Sequence, residues 1–125
     1  MAGLPEVVTK EWQDHEGAAI FTTVDGQGLP NSVYVSCTKF YDDHRIVIID
    51  NYFNKTRANI STGSKGAFLF ITKEGKAYQV KGSIDYQTSG EIYDDMIKWS
   101  DSKHPRVAAA VLNVEEVYTG AEKLF

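Results

Sequence analysis

The sequence holds a single cysteine, Cys37, in 125 residues. No disulfide can form within the chain, and cysteine-based zinc sites of the usual kinds are excluded. Long apolar runs are missing too. Stretches such as Ile46-Val47-Ile48-Ile49 fall far short of the ~20 residues a membrane-crossing helix needs. Met1 to Lys10 lack a basic patch followed by an apolar stretch, so no signal peptide is expected and a reducing, cytoplasmic location is. Positive charge is scarce: 13 Lys and Arg stand against 17 Asp and Glu, a formal net charge of −4. That balance argues against a nucleic-acid coat protein, while leaving room for one local cationic pocket. The motifs G-x-S-x-G, G-x-G-x-x-G, H-E-x-x-H and the P-loop are all absent. Gly26 and Gly28 make only half a nucleotide fingerprint and belong to a turn. His15, His44 and His104 are too scattered to supply a close pair of metal ligands, so no metal site is expected.

What is present is an ordinary globular composition, 42% apolar and 24% charged. It suits one domain over residues 1–125, without repeats or linkers. Leu4, Val8 and Trp12 make an apolar stripe on a helix over Pro5–Glu16, closed by Gly17. Ala18–Val24 and Asn31–Phe40 form a hairpin around Asp25-Gly26-Gln27-Gly28. In the second strand Val33, Val35 and Cys37 alternate with a polar face that carries Tyr34, which makes Cys37 a packing residue. Arg45–Asp50 is a strand apolar on both faces, hence central or covered. A short helix over Lys55–Ser61 follows, with Asn54 as its N-cap. Ala67–Thr72, again apolar on both faces, and Ala77–Tyr86 form a second hairpin, and Gly82 marks a bulge or sharp bend. Thr88 and Glu91 form a capping box for a helix reaching Ser100, limited by Pro105. Ala109–Tyr118 is the last strand. Six short strands, mostly hairpin-linked, with three peripheral helices favour a small antiparallel barrel.

The segment Asp50–Ile60 carries the chemistry. A buried strand ends in a loop, and a helix begins with Lys55 and Thr56, with Arg57 beside them. Cations at a helix N-terminus oppose the helix dipole unless an anion such as a phosphate docks there. An ordinary capped surface helix with a basic first turn explains the same residues equally well. Tyr34, Tyr52, Phe53, Trp99 and Tyr118 could flank a planar ligand or serve packing alone.

Taken in order, the Asp25-Gly26-x-Gly28-x-Pro30 hairpin, Arg45–Asn51, Asn54-Lys55-Thr56-x-x-Asn59-Ile60, Gly82 and Glu115–Tyr118 resemble the pyridoxamine 5′-phosphate oxidase-like superfamily of FMN-binding split barrels. The likeness is to its short single-domain members and covers nearly the whole chain. It implies a mainly β, six-stranded antiparallel Greek-key split barrel, homodimeric, with FMN at the subunit interface. It implies that Asn54, Lys55 and Thr56 hold the cofactor phosphate and that Val33, Tyr34, Val35 and Ser36 lie along the isoalloxazine ring. Asp50 and Asn51 would flank the ring or ribityl chain, with the Asp50 carboxylate turned toward the ring or solvent. Partner-subunit residues would close the site. The basic residues that true pyridoxamine-phosphate oxidases use for substrate phosphate are missing.

The resulting expectation is an FMN-binding flavoprotein, an oxidoreductase acting on a small molecule or redox partner, with neither nucleic acid nor membrane as partner. No catalytic residue is assigned, since a flavin carries its own redox chemistry. The rival readings are a non-catalytic FMN carrier or electron-transfer protein, the same barrel holding haem or a deazaflavin, and a barrel with no cofactor.

Overall fold

A computed structural model describes residues 3–125. Eight strands form one antiparallel sheet: β1 Ala19–Val24, β2 Pro30–Val35, β3 Thr38–Phe40, β4 Arg45–Asp50, β5 Gly66–Ile71, β6 Ala77–Gln87, β7 Ala108–Thr119 and β8 Glu122–Lys123. Three helices accompany them, α1 Glu6–Trp12, α2 Lys55–Ser61 and α3 Glu91–Trp99. None of them is long and apolar enough to cross a membrane.

The expected strand over Asn31–Phe40 is two strands. The sheet runs β2-β1-β5-β6-β7-β4-β3, with β8 added to β7. β2 and β3 therefore lie on opposite edges, yet only Ser36 and Cys37 separate them in the chain. Val35 and Thr38 are three residue steps apart and so at most about 11 Å from each other, and the sheet must curl until its edges meet. This is a barrel with a split, and the Ser36-Cys37 link crosses the split. The count is eight strands rather than six because of this break and the added β8.

Ala19, Phe21 and Thr23 of β1 point inward, alternating with more exposed neighbours. Ala19 and Phe21 meet Phe68 and Phe70 of β5, Tyr78 and Val80 of β6 and Leu112 of β7 in the barrel core. α1 closes one end. Val8 is fully buried, and the Trp12 ring stacks between His15 and Phe40 at centroid distances of 3.7 and 4.9 Å. That helix ends four residues before Glu16, with Pro5 at its N-cap rather than inside it.

β4 is buried on both faces. Ile46 and Ile48 enter the barrel core, while Val47 and Ile49 join a second cluster with Ile92 and Met96 of α3. The chain's own helix thus covers the outer face of β4, and no partner is needed there. β5, apolar on both faces in sequence, buries only one: Gly66, Phe68 and Phe70 are inside and Ile71 is exposed. The capping box at Thr88 does not form. α3 begins at Glu91 with Gly90 as N-cap at φ +102°, and no side chain caps it.

Gly82 sits at a register shift between β6 and β7. A Cβ there would lie 1.7 Å from the Asn113 carbonyl oxygen, so only glycine allows the two backbones to approach this closely.

Candidate functional site

The β4–α2 junction is organised by Asp50, the last residue of β4. Its side chain is fully buried. Oδ2 accepts from Arg57 Nε at 2.7 Å and from the Tyr86 hydroxyl, and Oδ1 accepts from Arg57 Nη2 at 3.0 Å and the Phe53 amide at 2.9 Å. A buried carboxylate needs such compensation. The arrangement raises the Arg57 pKa, chiefly through its hydrogen bond to Asp50. Burial, then the bond to Asp50, raises that of Tyr86. Asp50 is therefore not turned to solvent, one of the two directions expected for it. Arg57 is its partner rather than a free cation beside Lys55.

The loop that Asp50 anchors forms one wall of a cleft at the split of the barrel. The cleft holds about 240 Å³. Val33, Tyr34, Val35 and Ser36 of the β2 side line it, facing Asn51, Tyr52 and Phe53. β2 is an edge strand, paired with β1 alone, so half of its backbone N–H and C=O groups have no strand partner. Tyr34 and Tyr52 are 79% and 72% exposed and rim the opening. Cys37 also lines the cleft and is half-buried, because it belongs to the β2–β3 link rather than to the core face of a strand.

Five of the nine residues anticipated for a cofactor, Val33 to Ser36 and Asn51, thus share one cleft. The three intended for a phosphate follow directly after Phe53 at the start of α2. Lys55 is exposed and makes no ion pair among the described residues. Thr56 is 1% exposed, with its hydroxyl 3.2 Å from Asn31 Nδ2. Asn54 stands at the N-cap position at φ −127° and ψ −80°, but its side chain does not cap the helix. Asp50 is the ninth and lies behind the wall.

The missed residues come from the α3–β7 connection. A second hollow of about 150 Å³ adjoins the cleft and shares Ser36, Cys37, Ile49, Asn51 and His104 with it. Trp99, Ser100, Asp101 and Arg106 complete its lining, with Thr38. Asn51 ties the two walls together, because its Oδ1 accepts the Arg106 amide at 2.9 Å. The available signal was a polar loop carrying His104 and Arg106 immediately before the wholly apolar run Val107–Leu112. From that loop the sequence reading used His104 only as one of three scattered histidines and Pro105 only as a helix limit.

A barrel opened along one seam, with a cleft lined by its edge strand and the β4–α2 loop, is a split-barrel architecture. The chain belongs to the pyridoxamine 5′-phosphate oxidase family, whose model matches residues 6–120. It is 29% identical over 101 residues to an uncharacterised protein of Methanocaldococcus jannaschii, spanning 77% of this chain and 68% of that one. Its fold is similar to that of HupZ from Group A Streptococcus, with a TM-score of 0.82, 24% identity and 96% coverage of both chains. An FMN-binding protein from Syntrophomonas wolfei shares the fold at a TM-score of 0.74 and 22% identity, over 94% of this chain and 97% of that one.

Proposed function

We propose that the seam cleft binds FMN and that the protein is an FMN-dependent oxidoreductase acting on a small molecule, in the cytoplasm. The observation that carries this reading is the meeting, in a chain of this family, of β2 and the β4–α2 loop around one open cleft.

The residues present fit the group. The cleft exceeds the ~150 Å³ that holds a single benzene, and it is open on one side, as a ring that must meet a second reactant requires. The free edge of β2 offers backbone donors and acceptors to a heterocycle with several polar positions. Lys55 makes no ion pair among the described residues, although it lies within electrostatic reach of Asp25, and it supplies the cation for one phosphate. Thr56 contributes less, its hydroxyl being buried and engaged by Asn31. Bound flavin supplies reversible hydride and electron transfer. The chain's own residues bind and orient it, which agrees with a sequence free of nucleophile or acid–base motifs. The exposed rings of Tyr34 and Tyr52 at the rim favour a homodimer in which a second copy closes the opening.

Lys55→Ala tests the phosphate contact. FMN affinity should drop at least tenfold, about 1.4 kcal/mol, with the melting temperature of the ligand-free protein unchanged. Unaltered FMN affinity would remove Lys55 from the site. Turnover of reduced nicotinamide with a panel of small acceptors separates an enzyme from an FMN carrier, which would show none.

A further inference from the structure

Among the described residues, five buried side-chain polar atoms have no hydrogen-bond partner within the chain: Thr38 Oγ1, Trp99 Nε1, Ser100 Oγ, His104 Nδ1 and Arg106 Nε. All five belong to residues lining the 150 Å³ hollow beside the cleft. Buried polar groups without partners are costly, and their gathering around one hollow points to a ligand that satisfies them.

The chemistry of the set selects that ligand. Trp99 Nε1 and Arg106 Nε can only donate, while the two hydroxyls and the imidazole can do either. None of the five can only accept, so the ligand must be rich in acceptors. The charge count is equally specific. Arg45 and Arg57 each pair with an aspartate, whereas Arg106 meets no carboxylate among the described residues. Its only side-chain bond among the described residues is from Nη1 to the Ile97 carbonyl, at 3.3 Å. Asp101, the one acid in the lining, accepts the Lys103 amide at 3.0 Å and lies 3.5 Å from Lys103 Nζ. One uncompensated positive charge, with a carboxylate nearby, suits a monoanion better than a phosphate dianion.

Arg106 is also the only non-glycine described residue with positive φ, at +51°. Its amide donates to Asn51 Oδ1, and its carbonyl accepts from the Tyr93 hydroxyl at 3.2 Å. A strained backbone conformation held from both sides is a common mark of a working residue. Ile49 and the Trp99 ring supply apolar wall. The volume matches a body about the size of benzene.

We propose that this hollow is a binding subsite for a small monocarboxylate, with Arg106, Trp99 and Thr38 holding the carboxylate. The hollow shares a wall with the cleft, so the bound acid would lie beside the flavin. That placement rests on the FMN reading; the binding itself does not.

Benzoate and its neutral analogue benzamide are the probes, titrated into ¹⁵N-labelled full-length protein with and without FMN. The chain has two tryptophans, so Trp99→Phe assigns the Trp99 indole N–H signal. That signal should move with benzoate and respond at least tenfold more weakly to benzamide. Arg106→Gln should weaken benzoate binding at least tenfold in a protein that still melts cooperatively. If that variant does not fold, the near-isosteric Thr38→Val decides, with a loss of threefold or more expected. No movement with benzoate, an equal response to benzamide, or unchanged affinity in the deciding variant overturns the subsite. Benzoate binding to a protein that never retains FMN would uphold the subsite while removing the flavin reading.

Discussion

Asp50 shows how one residue sets the geometry of the cleft. Its carboxylate is held by a guanidinium, a phenol and an amide, so the loop from Asn51 to Asn54 leaves β4 in a fixed direction. Tyr86→Phe removes one bond to a buried charge and should cost about 1.5–2 kcal/mol in denaturant unfolding. The alkaline limb of stability carries the same signature. The folded-state pKa of Tyr86 is raised, chiefly by burial. The neutral hydroxyl therefore contributes stability that is fully present below the ordinary tyrosine range and is lost as pH rises through the raised value. Wild type should lose stability over that window, and Tyr86→Phe should show a flatter limb; equal slopes would contradict the assignment. None of this could be seen in the sequence, where Asp50 stands next to a basic segment and Arg57 looks like a phosphate ligand. The partners that decide the matter are 7 and 36 residues away.

Among the elements, β6 and β7 make the longest pairing, and Gly82 lets it bend. Gly82→Ala drives a Cβ into the Asn113 carbonyl, and neither backbone can yield without losing register. A loss of about 3 kcal/mol or more is expected. Gly75→Ala, in the β5–β6 turn at φ +85° with open space around it, should cost only about 1–2 kcal/mol. Similar losses at the two positions, measured by chemical denaturation, would mean that the bulge relaxes. Gly82 was legible because a glycine interrupting an alternating strand has few other uses. The β2–β3 break was not. Apolar–polar alternation continues through Ser36 and Cys37 without glycine or proline, and the Cys37 carbonyl still accepts the Ile49 amide at 3.0 Å in strand fashion. What changes there is which edge of the sheet the chain follows, and alternation does not record that.

For the molecule as a whole, hairpin spacing and periodicity were enough to read an antiparallel barrel, and the order of short motifs to read the family. The cleft was half legible: β2 and the β4–α2 loop could be read, but the α3–β7 loop could not, because only the closed sheet brings His104 and Arg106 to the seam. The outer face of β4 is covered by α3, so the proposed dimer must use apolar groups exposed elsewhere, and Tyr34 and Tyr52 at the cleft rim are the most exposed of these. Sedimentation at micromolar concentration should give a dimer, and Tyr34→Glu together with Tyr52→Glu should shift it to monomer. A wild-type monomer would contradict the closed two-copy site. The central claim is that the seam cleft holds FMN. The visible absorption spectrum of the purified protein, taken after FMN is added and the excess removed, tests it most directly. The account predicts that the two visible flavin bands stay with the protein in near one-to-one ratio to chains. A protein that emerges colourless would contradict it.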